Sequence, residues 1–262
     1  AEKAREKTST AQEETMDMVR EKIKILREIS GYLCAKDGPR YAAITELLDQ
    51  NPQFNMNYPC YYDFYGNIAP SQGNLLSVYM SSRYWSPDLE EGIDFLLDMG
   101  VSANGNGTDA QGKEVKTDLD NNPLVLALKD QWAHPSRKVI KKLIDHGAVT
   151  DELKKAPPAA MLDHLIACME VDSLNDLLNA GVKPSNDQLM GFVTSLGSPS
   201  YRGSFLEGAR EACSDEKAQL TIQNFVKHGA HIDTDSREWK EHQRFWHKES
   251  APYLEIASFS LI

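Results

Sequence analysis

Four cysteines and seven histidines are the residues of this chain best suited to covalent or metal chemistry. A cysteine hydrolase needs a thiolate, a histidine base and a side chain that orients the base, all brought together by the fold. Cys168 sits in the apolar run "LIACME" and reads as a buried thiol, while Cys60 lies in a more accessible, tyrosine-rich stretch. Nothing beside either one marks it as activated, so a cysteine-dependent hydrolase stands only as the alternative reading. With Cys34 and Cys213 included, no two cysteines are close enough in sequence for a metal knuckle or a redox pair. They read as free thiols of a reducing, cytoplasmic compartment. His242 and His247 stand five apart in "EHQRFWH" without the further ligands a metal needs. His228 and His231 bracket the end of a helix. The chain has no H-E-x-x-H, no P-loop, no G-x-G-x-x-G after a strand and no G-x-S-x-G. No catalytic residue, metal or cofactor is assigned.

Residues suited to recognition are more plentiful. In "NMNYPCYYDFYGNIAPSQG", Tyr58, Tyr61, Tyr62, Phe64 and Tyr65 fall within eight residues. Aromatic rings carry large contact area at low entropic cost and are enriched in binding hot spots. Two readings stay open: the rings meet a partner protein, or they fold back to pack a long connection. The stretch "SANGNGTDAQGKEVKTDLDN" is small, polar and glycine-rich, with Lys113, Lys116, Asp118 and Asp120. It is expected to be mobile and to order on a partner. Trp132 is an exposed anchor or a plug between repeats. Trp239, Phe245 and Trp246 are expected to be packed, with Trp239 and Trp246 on one helical face.

These stretches must be held by something, and the rest of the sequence repeats. Five segments align without a gap: "ITELLDQNPQFN" from Ile44, "IDFLLDMGVSAN" from Ile93, "IKKLIDHGAVTD" from Ile140, "LNDLLNAGVKPS" from Leu174 and "IQNFVKHGAHID" from Ile222. Their first, fourth and fifth columns are apolar, which makes one face of a short helix. Their eighth column reads Asn51, Gly100, Gly147, Gly181, Gly229. A glycine there is a helix stop, because the residue after the last turn takes a left-handed backbone, and asparagine is the expected substitute. One such helix cannot bury its own apolar face, whereas five stacked side by side can.

The step of 34 residues from Gly147 to Gly181 is close to the ankyrin period, and "NPLVLALKDQWAHPSRKVIKKLIDHGA" resembles an ankyrin repeat. Pro123, Leu124 and Ala127 stand for the opening of the family's T-P-L-H-x-A, with Asn122 in place of Thr and Val125 in place of His. Ile140, Leu143, Ile144, His146, Gly147 and Ala148 match the second helix and its exit, and "NFVKHGAHID" carries His-Gly-Ala again. The resemblance runs from about Ala42 to Asp235. It implies an all-α, ankyrin-type helical solenoid of about five repeats, with helical segments at both ends. It also implies binding of a partner protein through inter-repeat fingers and a concave face, and it gives His146 and His228 a structural role. The other glycine steps are 49, 47 and 48, and the interval from exit to next opening is 23 residues three times over. Connections that long are expected to project as fingers.

The expected division is a helical capping segment over 1–40, a repeat array over 41–235, and a finger with a capping or half-repeat helix over 236–262. In the first segment Val19, Ile23, Leu26, Ile29 and Leu33 lie at helical spacing, too short a stripe for a coiled coil, and are expected to cap the first repeat. The last, "SAPYLEIASFSLI", resembles an inner helix without its outer mate, which suits a fragment of a longer protein. Irregular repeats joined to unrelated helical ends are similar to ankyrin proteins that bacteria deliver into host cells.

The whole-chain numbers agree with a protein partner. Apolar residues make up 41% and charged residues 26% of 262, a globular composition. The net charge of -11 argues against nucleic acid or an anionic membrane as main partner. No apolar run approaches the length of a membrane span.

Overall fold

The computed structural model describes residues 16–59, 61–62, 68–69, 73–82, 87–129, 136–196 and 215–242. The fold is mostly helical, and its only strands among the described residues are two short antiparallel pairs. It divides into two compact units, residues 1–122 and 123–262. The division falls after the second long connection.

In the first unit, α1 (Met16–Leu33) packs on α2 (Tyr41–Gln50). Its latter half is the buried half, with Ile25, Leu26, Ile29 and Leu33 inside. A short pair, β1 (Tyr61–Tyr62) and β2 (Ile68–Ala69), matches Tyr61 with Ala69 and Tyr62 with Ile68. It lies against α3 (Leu75–Ser82) and α1. Then α3 packs on α4 (Leu89–Asp98) through a tight approach. A Cβ on Gly92 would lie 2.0 Å from the Tyr79 hydroxyl oxygen, which is held by donating to Asp88 O. A second pair, β3 (Gly107–Thr108) with β4 (Glu114–Val115), follows before a single 3-10 turn at Leu119–Asn121.

The second unit opens with α5 (Pro123–Leu128), proline in its first position, where no amide proton is needed. The elements that follow are α6 (Arg137–Asp145), α7 (Asp151–Lys155), α8 (Ala159–Ala167), α9 (Val171–Asn179), α10 (Asn186–Leu196), α11 (Asp215–Lys227) and α12 (Arg237–His242). Six of these form three pairs: α5 with α6, α8 with α9, α10 with α11. The pairs also pack in two rows, α5 on α8 on α10 and α6 on α9 on α11. Phe192 and Phe225 stack at 5.8 Å between the last pair.

Polar side chains fix the register of the rows. Ser185 and Gln188 cap α10 reciprocally, Ser185 N donating to Gln188 Oε1 and Gln188 N to Ser185 Oγ. Gln188 Nε2 then reaches α8 at Ala159 O and Asp163 Oδ1. In the other row, Arg137 of α6 makes a two-pronged contact with Asp176 of α9, and Lys217 of α11 sits 3.2 Å from Asp172. Asn224 donates to both Asn175 and Asn179 across the α9–α11 seam.

The repeat columns behave as helices with a common exit. The first column, Ile44, Ile93, Ile140, Leu174 and Ile222, is at most 1% exposed throughout, worth about 1.5–3 kcal/mol per side chain. Gly100, Gly147, Gly181 and Gly229 all take left-handed φ, between 88° and 96°. At each, the next residue's amide reaches back over a full turn, as from Ala148 N to Leu143 O at 2.9 Å. Asn51 corrects the expectation for that column: its φ is -127°. Its side chain ends the helix instead, with Nδ2 donating to Leu47 O at 2.8 Å. Among the described residues, a left-handed backbone without glycine falls at Met169, φ 54°, between α8 and α9.

Candidate functional site

The second long connection folds as a hairpin. Its turn is built on Asp109. One carboxylate oxygen, Oδ1, accepts from Gln111 N at 3.0 Å and from Lys113 N at 2.8 Å. Asp109 N donates to Lys113 O, Gly112 N donates to Asp109 O, and Gly112 takes φ 76°. A four-residue turn closed by a left-handed glycine is the common three-residue hairpin loop, and it sets the twist of the two strands.

The root of this hairpin is tied down on both sides. Thr108 N donates to Asn57 O at 2.6 Å, and Thr108 O accepts from Asn55 Nδ2 at 2.8 Å. Asn106 accepts from Thr117 N through Oδ1 and donates to Glu114 Oε1 through Nδ2. Asn74, fully buried at the start of α3, donates to the backbone oxygens of Ser102 and Asn106. Two asparagine pairs do the same work one repeat apart. Asn55 Oδ1 accepts from Asn57 N, and Asn104 Oδ1 accepts from Asn106 N. Asn57 then joins its turn to the next, giving a hydrogen bond to Gly100 O and taking one from Ser102 N.

What this scaffold offers outward is a narrow polar ridge. Ala110, Gln111, Gly112, Lys113, Glu114, Lys116, Asp118 and Asp120 are exposed, while Ala103, Gly105 and Gly107 at the root are buried. Of the sequence candidates, Lys113 and Lys116 therefore stand on one preformed edge. Tyr58 does not join them. Its ring is 4% exposed and lies under Lys22 of α1, whose Nζ is 4.7 Å from the ring centroid. That ring packs the first finger against the protein. Tyr61 and Tyr62 contribute backbone pairing to β1; Phe64, Tyr65 and Trp132 lie outside the described residues, as do Phe245 and Trp246. Trp239 is 4% exposed, with its amide capped by Ser236 Oγ.

Sequence reasoning missed Asn55, Asn57, Asn74, Asn104 and Asn106 as the residues that hold the ridge. The signal was present in the twelfth column of the repeat, which reads Asn55, Asn104, Asp151, Ser185, Asp233. Every one is a short side chain able to accept from an amide just downstream. Asp233 does so to Asp235 N at 2.9 Å.

Among the described residues, no group of three or more His, Cys, Asp and Glu is placed to hold a metal ion. Cys34 and Cys168 are free thiols, and Cys60 and Cys213 lie outside the described residues. Burial, with Glu170 adding to it, raises the Cys168 thiol above its ordinary range, the reverse of what a thiolate nucleophile needs. Burial and then Lys227 hold His228 below the ordinary histidine value. No described helix is long and apolar enough to cross a membrane. Compared with known proteins, the chain matches no family model, no curated protein and no solved structure.

Proposed function

We propose that this chain is a non-catalytic recognition module that binds another protein through its second finger, on a divergent ankyrin-type helical solenoid. The observation that carries the reading is the β3–β4 ridge. A polar hairpin held by side-chain bonds from two neighbouring turns spends little entropy when it docks, which favours binding by an edge of this kind. The paired helices of the second unit and the four left-handed exit glycines support the solenoid. Lys113 and Lys116 are the binding residues proposed here. Tyr61, Tyr62, Phe64 and Tyr65 of the first finger and Trp132 are proposed as additional contacts, and Tyr58 as a packing residue.

The test is a capture experiment from lysate using the intact chain, a Lys113→Glu/Lys116→Glu variant and a Tyr61→Ser/Tyr62→Ser/Tyr65→Ser variant. The proposal expects the lysine pair to lose captured proteins that the intact chain retains. An unchanged set with the lysine variant, folded as judged by its helical signal, overturns the second finger as the contact.

A further inference from the structure

Asparagine followed by glycine occurs twice in succession here, at Asn104–Gly105 and Asn106–Gly107. Such bonds are chemically fragile, because glycine has no Cβ to shield its backbone nitrogen from the preceding side-chain carbonyl carbon. This fold requires both glycines. Gly105 has φ 81°, a conformation cheap only without a Cβ. A Cβ on Gly107 would lie 2.7 Å from Cγ of Pro59 and 3.0 Å from the Asn57 oxygen. The equivalent turn one repeat earlier reads Asn55–Met56 and Asn57–Tyr58, so it carries the same staple without the fragility.

We propose that Asn104 is a self-modification site, and that its conversion to isoaspartate loosens the second finger. In the reaction the Gly105 nitrogen, its proton lost to base, bonds to Cγ of Asn104. The Cγ–Nδ2 bond breaks, and the amide nitrogen leaves as ammonia. Water then opens the five-membered imide at one of its two carbonyls. The product is aspartate, or isoaspartate with the backbone rerouted through the side chain. Amide and water give acid and ammonia, with no oxidant or cofactor.

Two contrasts select Asn104 over Asn106. Asn106 is held at both side-chain heteroatoms, by Glu114 and by Thr117 N, so its carbonyl carbon cannot turn toward Gly107 without losing both bonds. Asn104 is held, among the described residues, through Oδ1 on Asn106 N. The Gly105 amide is bonded to Ser102 O over a long 3.3 Å. The consequence follows from the same bonds. Rerouting the chain at residue 104 displaces the acceptor that positions Asn106, and Asn106 joins the finger to Asn74, Glu114 and Thr117. That this affects binding rests on the recognition reading above, whereas the modification itself does not.

The experiment keeps the folded chain at mildly alkaline pH and follows it by peptide mapping and amide hydrogen exchange. The expected result is an amide-to-acid mass gain at Asn104 that grows with time, with Asn106 retained. With it, exchange at the Thr108 and Thr117 amides becomes faster by about fivefold or more. An Asn104→Ser variant keeps an acceptor for the turn and is expected to age without either change. The proposal is overturned if Asn104 persists while a free peptide spanning 100–120 converts. It is equally overturned if Asn104 converts to isoaspartate and exchange at Thr108 and Thr117 stays that of the fresh chain. Loss of partner capture by the fresh chain would count against the recognition reading alone.

Discussion

The side-chain amide of Asn74 donates to the backbone oxygen of Asn106 over 3.1 Å, so the first turn of α3 and the root of the second finger share one residue. The same amide donates to Ser102 O at 2.9 Å, and its oxygen accepts from Leu76 N and Ser77 N. All four hydrogen-bonding positions of a fully buried asparagine are thus filled. Asn74→Ala removes a helix cap, takes its donor from Asn106 O and leaves Ser102 O with the long bond from Gly105 N. Urea unfolding should show a loss of about 3 kcal/mol or more. Asn74→Asp keeps the cap but sets a carboxylate beside two carbonyl oxygens. It should be destabilised at neutral pH and regain stability as falling pH protonates it.

Gly147 and Asn51 share a repeat column and should respond in different ways. A Cβ at Gly147 meets nothing within 4 Å, so Gly147→Ala costs only the left-handed backbone, about 1–2 kcal/mol. Asn51 has an ordinary negative φ, so glycine there relieves nothing and forfeits the bond to Leu47 O. Asn51→Gly should lose about 1 kcal/mol. A stabilised Asn51→Gly chain would contradict this helix end.

Two helical glycines give opposite signs. Glycine inside a helix costs about 1 kcal/mol relative to alanine. At Gly191 in α10 a Cβ would meet open space, so Gly191→Ala should stabilise by roughly that amount. At Gly92 the Tyr79 ring occupies the space, with its hydroxyl oxygen 2.0 Å and its Cε1 2.7 Å from the added carbon. Tyr79 is itself buried, so Gly92→Ala should lose about 1–3 kcal/mol despite the better helix former. Thermal unfolding of the two variants checks the pair.

His228 makes stability depend on pH. Burial, then Lys227, disfavours its charged form in the folded chain. The unfolded chain therefore takes up the proton first as pH falls through the ordinary histidine range, about 6.5. The contribution is complete above that range and is lost as pH falls through it to the lowered folded value. His228→Gln should flatten this part of the stability profile, measured as urea midpoints at pH about 7.5 and about 5.5. An unchanged slope would show that His228 does not carry it.

The sequence made the helices and their exits legible because both rest on strong local preferences. Apolar residues at i, i+3 and i+4 force one face inward, and Ile44, Ile93, Ile140, Leu174 and Ile222 are all buried accordingly. A left-handed exit needs glycine, and four glycines take it. Asn51 escaped because its side chain solves the same end by a different bond. The hairpin of the second finger escaped because small polar residues look alike whether solvated or bonded to the backbone. Asp109 and Asn106 belong to the second kind, and their partners lie up to eleven residues away. Tyr58 escaped because nothing near it in sequence announces Lys22, which reaches it from α1.

The most direct measurement of the central claim is site-specific photo-crosslinking in lysate. A photoreactive residue replaces Lys113 at the ridge or, as control, Lys155 at the exposed end of α7. The account predicts a discrete adduct with another protein at position 113 and none at 155. Absence of an adduct at 113, or the same adducts at both positions, would contradict recognition through the second finger.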